Sequence, residues 1–144
     1  MNKSLFKYAI LGGLIMFVAS AIIWALGQAD DSYFIKTFLS EHNQAARSVH
    51  LEGPTSGYMT DFWRLISRII SAFIAGWLIL KSYITQYKDR VVFITVMGFL
   101  IGFFVHSFLY LKGYYNFGFS LFSVAVVTLQ WFLAGLVLAK IRKE

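Results

Sequence analysis

The chain of 144 residues contains no cysteine. That excludes disulfide staples, thiol redox chemistry and thiolate metal sites, and it removes the usual clue to redox compartment. Charge is scarce as well: 14% of the residues are charged and only seven are acidic. No aspartate or glutamate lies between Phe62 and Lys88, or between Arg90 and Lys143. A proton-coupled exporter of the small multidrug type works through a membrane-embedded carboxylate, so that class is excluded. Of the three histidines only His106 falls in an apolar run. A bis-histidine haem needs two at one depth on facing helices. His42 and His50, even with Glu41 or Glu52, lack the rigid spacing of a metal motif. No metal and no other cofactor is expected. A phosphate-binding glycine loop and a Ser-His-Asp arrangement are also missing. The length leaves room for one bundle and no second domain.

What is present is apolar sequence, 58% of the chain. It is gathered into four runs at residues 5–26, 62–80, 91–111 and 117–139, each near the ~20 residues a helix needs to cross a bilayer. The first run exceeds the ~7–15 residues of a signal-peptide core and reads as a retained signal-anchor. The connections at 81–90 and 112–116 are short, which predicts antiparallel neighbours. The expected fold is all-α, an integral membrane four-helix bundle of up-down-up-down order.

The net charge of +6 is explained by topology rather than by nucleic acid. Lys3 and Lys7 precede the first run, Lys81, Lys88 and Arg90 separate the second from the third, and Lys140, Arg142 and Lys143 follow the fourth. The other connections carry Asp30, Asp31, Glu41, Glu52 and Asp61. This positive-inside pattern predicts cytoplasmic N- and C-termini. Trp24, Trp63, Tyr110, Tyr114 and Tyr115 would mark the outer interface, and Tyr8, Tyr83 and Tyr87 the inner one.

The sizeable external segment, 28–61, divides in two. Phe34, Ile35, Phe38, Leu39, His42, Ala45, Ala46 and Val49 recur at helical spacing, which predicts an amphipathic helix over 32–49 lying on the membrane or capping the bundle. His50 to Tyr58 holds the only proline and reads as a turn-rich loop. Thr60 or Asp61 is then placed to cap the second span.

Small residues predict which faces meet: Gly98 and Gly102 on the third run, Ser67, Ser71 and Ala75 on the second, Gly12 and Gly13 on the first, and Gly135 with Ala139 on the fourth. Gln130 is expected to make an interhelical hydrogen bond. Arg64 and Arg68 share one face of the second span, with Asp61 a turn earlier. Counting ~1.5 Å per residue from the outer ends puts Arg68, His106, Ser20 and Ser123 in one polar layer, with Arg64 and Asp61 above it. A guanidinium is a planar fork for carboxylate or phosphate, and a histidine beside it could relay a proton or hold a headgroup. Equally, Arg68 could snorkel to the headgroups or pair with Asp61 or Glu52.

The stretch Gly12-Gly13-Leu14-Ile15-Met16-Phe17 running into Ile22-Ile23-Trp24, followed by Pro54-Thr55-Ser56-Gly57-Tyr58, resembles a group of small four-span bacterial inner-membrane proteins. The resemblance covers roughly the first 60 residues. It departs at Ala25–Ala29, where the group carries a Trp/Pro/His cluster. It implies four spans and a bacterial inner membrane and supplies no activity.

Three functions follow as expectations. The first is a non-enzymatic accessory or assembly subunit, with a membrane-protein partner or a second copy as the contact. The second is a binder or transporter of an anionic lipid or small anion. The third is a membrane enzyme acting on a lipid headgroup.

Overall fold

The computed structural model describes residues 3–29, 57–113 and 117–141; for 24–29 and 57–61 it describes the helical backbone alone. The expected amphipathic helix at 32–49 lies outside the described residues, as does the loop up to residue 56. Among the described residues there are four helices: α1 (Lys3–Ala29), α2 (Gly57–Lys81), α3 (Tyr87–Leu111) and α4 (Phe117–Leu138). All four are long and apolar enough to cross a membrane. No strand occurs among the described residues. The all-α four-span architecture is therefore as the hydropathy requires.

Two boundaries differ from expectation. The second helix begins at Gly57, so Thr60 and Asp61 lie inside it and do not cap it. Tyr58, Met59, Phe62 and Trp63 carry the apolar pattern back past the expected start. The third helix begins at Tyr87, with Asp89 in its first turn, where a carboxylate complements the positive end of the helix dipole. The connection between α2 and α3 shrinks to residues 82–86.

The order of packing is a larger correction. The extensive contacts join α3 to α4, α1 to α2, and α1 to α4, while α2 touches α4 only lightly. The spatial order is α2–α1–α4–α3. Although consecutive in the chain, α2 and α3 do not pack against each other along their lengths. The reason lies in where the small residues point. A Cβ on Gly12 would meet Leu138 of α4 at 3.2 Å, and one on Gly13 would come within 2.7 Å of the Ile69 backbone of α2. Two adjacent glycines thus let α1 approach both neighbours closely, and van der Waals packing drives association where lipid supplies no hydrophobic gain. On α3, a Cβ at Gly98 would fall within the Trp131 side chain, and one at Gly102 would meet Val127 at 3.2 Å. Ser67 of α2 is exposed and bonds its own helix, Oγ to the Arg64 carbonyl at 2.8 Å. Ser71 does the same to Ser67. Of the expected stripe only Ala75 is buried in the bundle. The core runs through Met16, Ala72, Ile79, Ile94, Trp131 and Leu138.

One end of the bundle is locked. Arg90, at the start of α3, donates from Nε to the Ile84 carbonyl at 2.9 Å and from Nη1 to the carbonyls of Ala139 at 3.3 Å and Ile141 at 2.6 Å. Tyr87 donates from its hydroxyl to the Leu136 carbonyl at 2.9 Å. The last carbonyls of a helix lack intrahelical partners; here Tyr87 satisfies one in the last turn of α4 and Arg90 takes two carbonyls of the turn just past its end. This end also carries Lys3, Lys7, Lys81, Lys88 and Lys140, and is termed the basic end below.

Candidate functional site

The 4-3-4 spacing of Arg68, Ala72, Ala75 and Ile79 puts them on one stripe of α2. The three apolar members are wholly buried against the bundle. Arg68 therefore continues the bundle-facing stripe; it does not stand on the lipid-facing side with Ile70, Ile74 and Trp77, which are all exposed. Arg68 is half-buried and Arg64, one turn earlier, is exposed. Beyond Arg68 this stripe does not pack along α3, whose extensive contacts are with α4.

The polar layer expected from Arg68, His106, Ser20 and Ser123 is not assembled. The Gly13–Ile69 and Gly12–Leu138 contacts put Arg68 near the level of Leu138 on α4. The Gly76 contacts with Ile141 and Leu138 put it nearer the level of Gln130. The Gly98–Trp131 and Gly102–Val127 contacts put His106 near Ser123. By either route Arg68 sits about two turns or more closer to the basic end than His106. Counting inward from sequence-read span ends fails because α2 extends further than expected and the helices are offset along their axes. His106 does continue the Gly98–Gly102 face. It is half-buried with its Nδ1 shielded from the surroundings, and it shares a level with the buried Ser123. Ser20 turns its Oγ back to the Met16 carbonyl at 2.8 Å, so its hydroxyl serves its own helix. The Asp61 side chain lies outside the described residues.

Gln130 is 3% exposed and its Oε1 has no hydrogen-bond partner among the described residues. The expected interhelical bond is not made to that atom. Ala134 and Leu138 continue the same flank of α4 and offer no side-chain donor. Ser120 Oγ is also buried without a hydrogen-bond partner among the described residues.

A groove of about 500 Å³ runs between α3 and α4, lined by Thr95, Phe99, Leu121, Val124, Thr128 and Phe132, with Ala125 and Leu129 at its side. Its two threonines donate to their own helices, Thr95 to the Val91 carbonyl at 2.8 Å and Thr128 to the Val124 carbonyl at 2.7 Å. The groove thus presents methyl and ring surface and no polar group to orient a substrate. It suits a lipid tail. Among the described residues no three metal-ligating side chains converge.

Sequence reasoning missed Arg90 as a structural residue, treating it only as a topology marker. The signal was present in its place three residues into α3, but the distant carbonyls it reaches lie just past the end of α4, about fifty residues on.

No protein-family model, no curated protein and no solved structure matches the chain. The fold by itself defines the class: a multi-pass helical membrane protein of four spans.

Proposed function

We propose that the chain is a non-enzymatic membrane subunit that works by lateral helix contact, seated in a bacterial inner membrane with its basic end in the cytoplasm. One observation carries this reading: α2 and α3 leave one side of the bundle unclosed. A four-helix bundle closes by packing each helix on two neighbours, and α3 here packs extensively on α4 only. A hydrolytic or transfer reaction would need a nucleophile or base aligned with a polar partner. The two most suggestive side chains, Arg68 and His106, stand on helices that do not pack together.

The test is site-specific photo-crosslinking in intact membranes. A crosslinker at Ser71, beside the unclosed side, should give one discrete protein adduct, and one at Phe104, on the far face of α3, should give mainly lipid. Mild-detergent extraction should return the same complex at fixed stoichiometry. Lipid adducts from both positions, with the chain recovered only as a monomer, would exclude the subunit reading.

A second reading, a binder of an anionic lipid headgroup, is favoured by the exposed Arg64 one turn from Arg68. It predicts anionic lipid retained through purification and lost in Arg64→Leu.

A further inference from the structure

We infer that the unclosed side between α2 and α3 receives a transmembrane helix of a different protein, and that this helix brings a carboxylate to Arg68. The inference rests on the subunit reading and specifies the partner's chemistry. Arg68 stands near the middle of the 25-residue α2, on the stripe whose other members are buried. It forms no hydrogen bond or ion pair with any described residue, and the described charge that acts on it is the like charge of Arg64. An ionised side chain inside a membrane faces a bundle interior and pairs with an opposite charge or with carbonyls. Arg90 shows what a satisfied arginine looks like in this fold, holding three carbonyls.

No acidic side chain among the described residues stands beside Arg68. The chain's acidic residues are Asp30, Asp31, Glu41, Glu52, Asp61, Asp89 and Glu144. Asp89 belongs to the basic end, in the first turn of α3. Asp61 lies in the second turn of α2, seven residues or about 10 Å along the helix before Arg68, and Asp30, Asp31, Glu41 and Glu52 lie outside the described residues. A second copy of the chain would bring two further arginines to the same side, so self-association through this face is disfavoured by charge. A lipid phosphate sits at the membrane surface, whereas Arg68 is level with the interior of α1 at Gly12 and Gly13. A helix crossing the bilayer is the occupant that can place a carboxylate at that depth. It would fill the vacant edge of the bundle at the same time.

The probe is a designed single-span peptide of leucine and alanine, labelled for energy transfer, with Asp, Asn or Leu at its central position. It is titrated against the full chain in vesicles of zwitterionic lipid. The Asp peptide should associate at least tenfold more tightly than the Leu peptide, with Asn between them. Arg68→Leu should erase that preference, and Arg68→Lys should keep most of it. Thermal unfolding of both variants should match wild type, which separates lost recognition from lost fold. Equal association of the three peptides with wild type, or a preference that survives Arg68→Leu, overturns the inference. So does a preference abolished by anionic lipid in the vesicles, which would assign the site to a headgroup. A chain with Asp30, Asp31, Glu41, Glu52 and Asp61 changed to their amides supplies the remaining arm. A preference that appears only in that chain would mean its own acids fill the edge. A discrete adduct at Ser71 combined with indifferent peptides would retain the subunit reading while removing the carboxylate. Peptide discrimination without any adduct would do the reverse.

Discussion

Two arginines on helices consecutive in the chain have opposite surroundings. Arg90 belongs to the closed seam of α3 and α4, where Gly98 admits Trp131 and every donor used has a carbonyl opposite it. Arg68 belongs to the flank of α2 that emerges from the bundle, where the stripe Ala72, Ala75 and Ile79 loses its cover. The contrast teaches that charge near a membrane span carries no fixed meaning. At the basic end an arginine terminates a helix and ties three segments together. At mid-span it is a strong donor with no acceptor among the described residues. A buried or half-buried charge without a partner destabilises, and replacing it with an apolar residue is often neutral or favourable. One arginine therefore maintains the fold, and the other is retained at the expense of the isolated chain.

Mutations in the two regions should separate accordingly. The largest effect is expected at the closed seam. Gly98→Ala inserts a methyl into the space of the Trp131 side chain, and overpacking of this kind should lower stability by about 3 kcal/mol, read as a collapse of the thermal transition in detergent. Gly102→Ala, whose new methyl would meet Val127 at 3.2 Å, should lose about 1 kcal/mol or less. Similar losses at the two glycines would show that the seam is softer than the contacts imply.

Next comes Arg90→Leu, which removes the donors to Ile84, Ala139 and Ile141. Hydrogen bonds from charged groups are worth about 1.5–3 kcal/mol each, and their loss is incompletely additive, so a loss of about 2 kcal/mol is expected. Amide exchange at the end of α4 should rise with it. A stability equal to wild type would remove the contrast with Arg68. Tyr87→Phe deletes one hydroxyl bond to Leu136 and should lose about 1 kcal/mol. The smallest stability effect is expected for Arg68→Leu, within about 0.5 kcal/mol of wild type or slightly stabilising. A destabilisation as large as that of Arg90→Leu would show that Arg68 has an internal structural partner.

The legible and illegible parts divide by range of interaction. Span number, helical class and the clustering of basic residues at one end follow from hydropathy and charge along the chain. The meeting of Gly98 and Gly102 with another helix followed from their spacing alone, because a four-residue period fixes one face. His106 could be put on that face for the same reason. The joining of Arg68 to His106 failed, since it required α2 beside α3 and a common depth reference. Loop length suggested the first, and the notch at Gly12 and Gly13 prevented it by giving α1 both central seams. The depth reference slipped because α2 starts at Gly57, several residues before its apolar run. Gln130 shows the same limit: its burial could be read from the sequence, while the lack of a donor to its Oε1 among the described residues could not.

By itself, then, the sequence determined that four helices form, that their basic ends lie together, and that two arginines share one face of α2. These depend on periods and compositions within single segments. Only the tertiary structure decided that α1 and α4 occupy the centre, that Arg90 closes the end of α4, and that Arg68 meets no carboxylate among the described residues. Those outcomes depend on which small residues allow backbones to touch, and close approach between helices is a property of pairs that no single segment encodes.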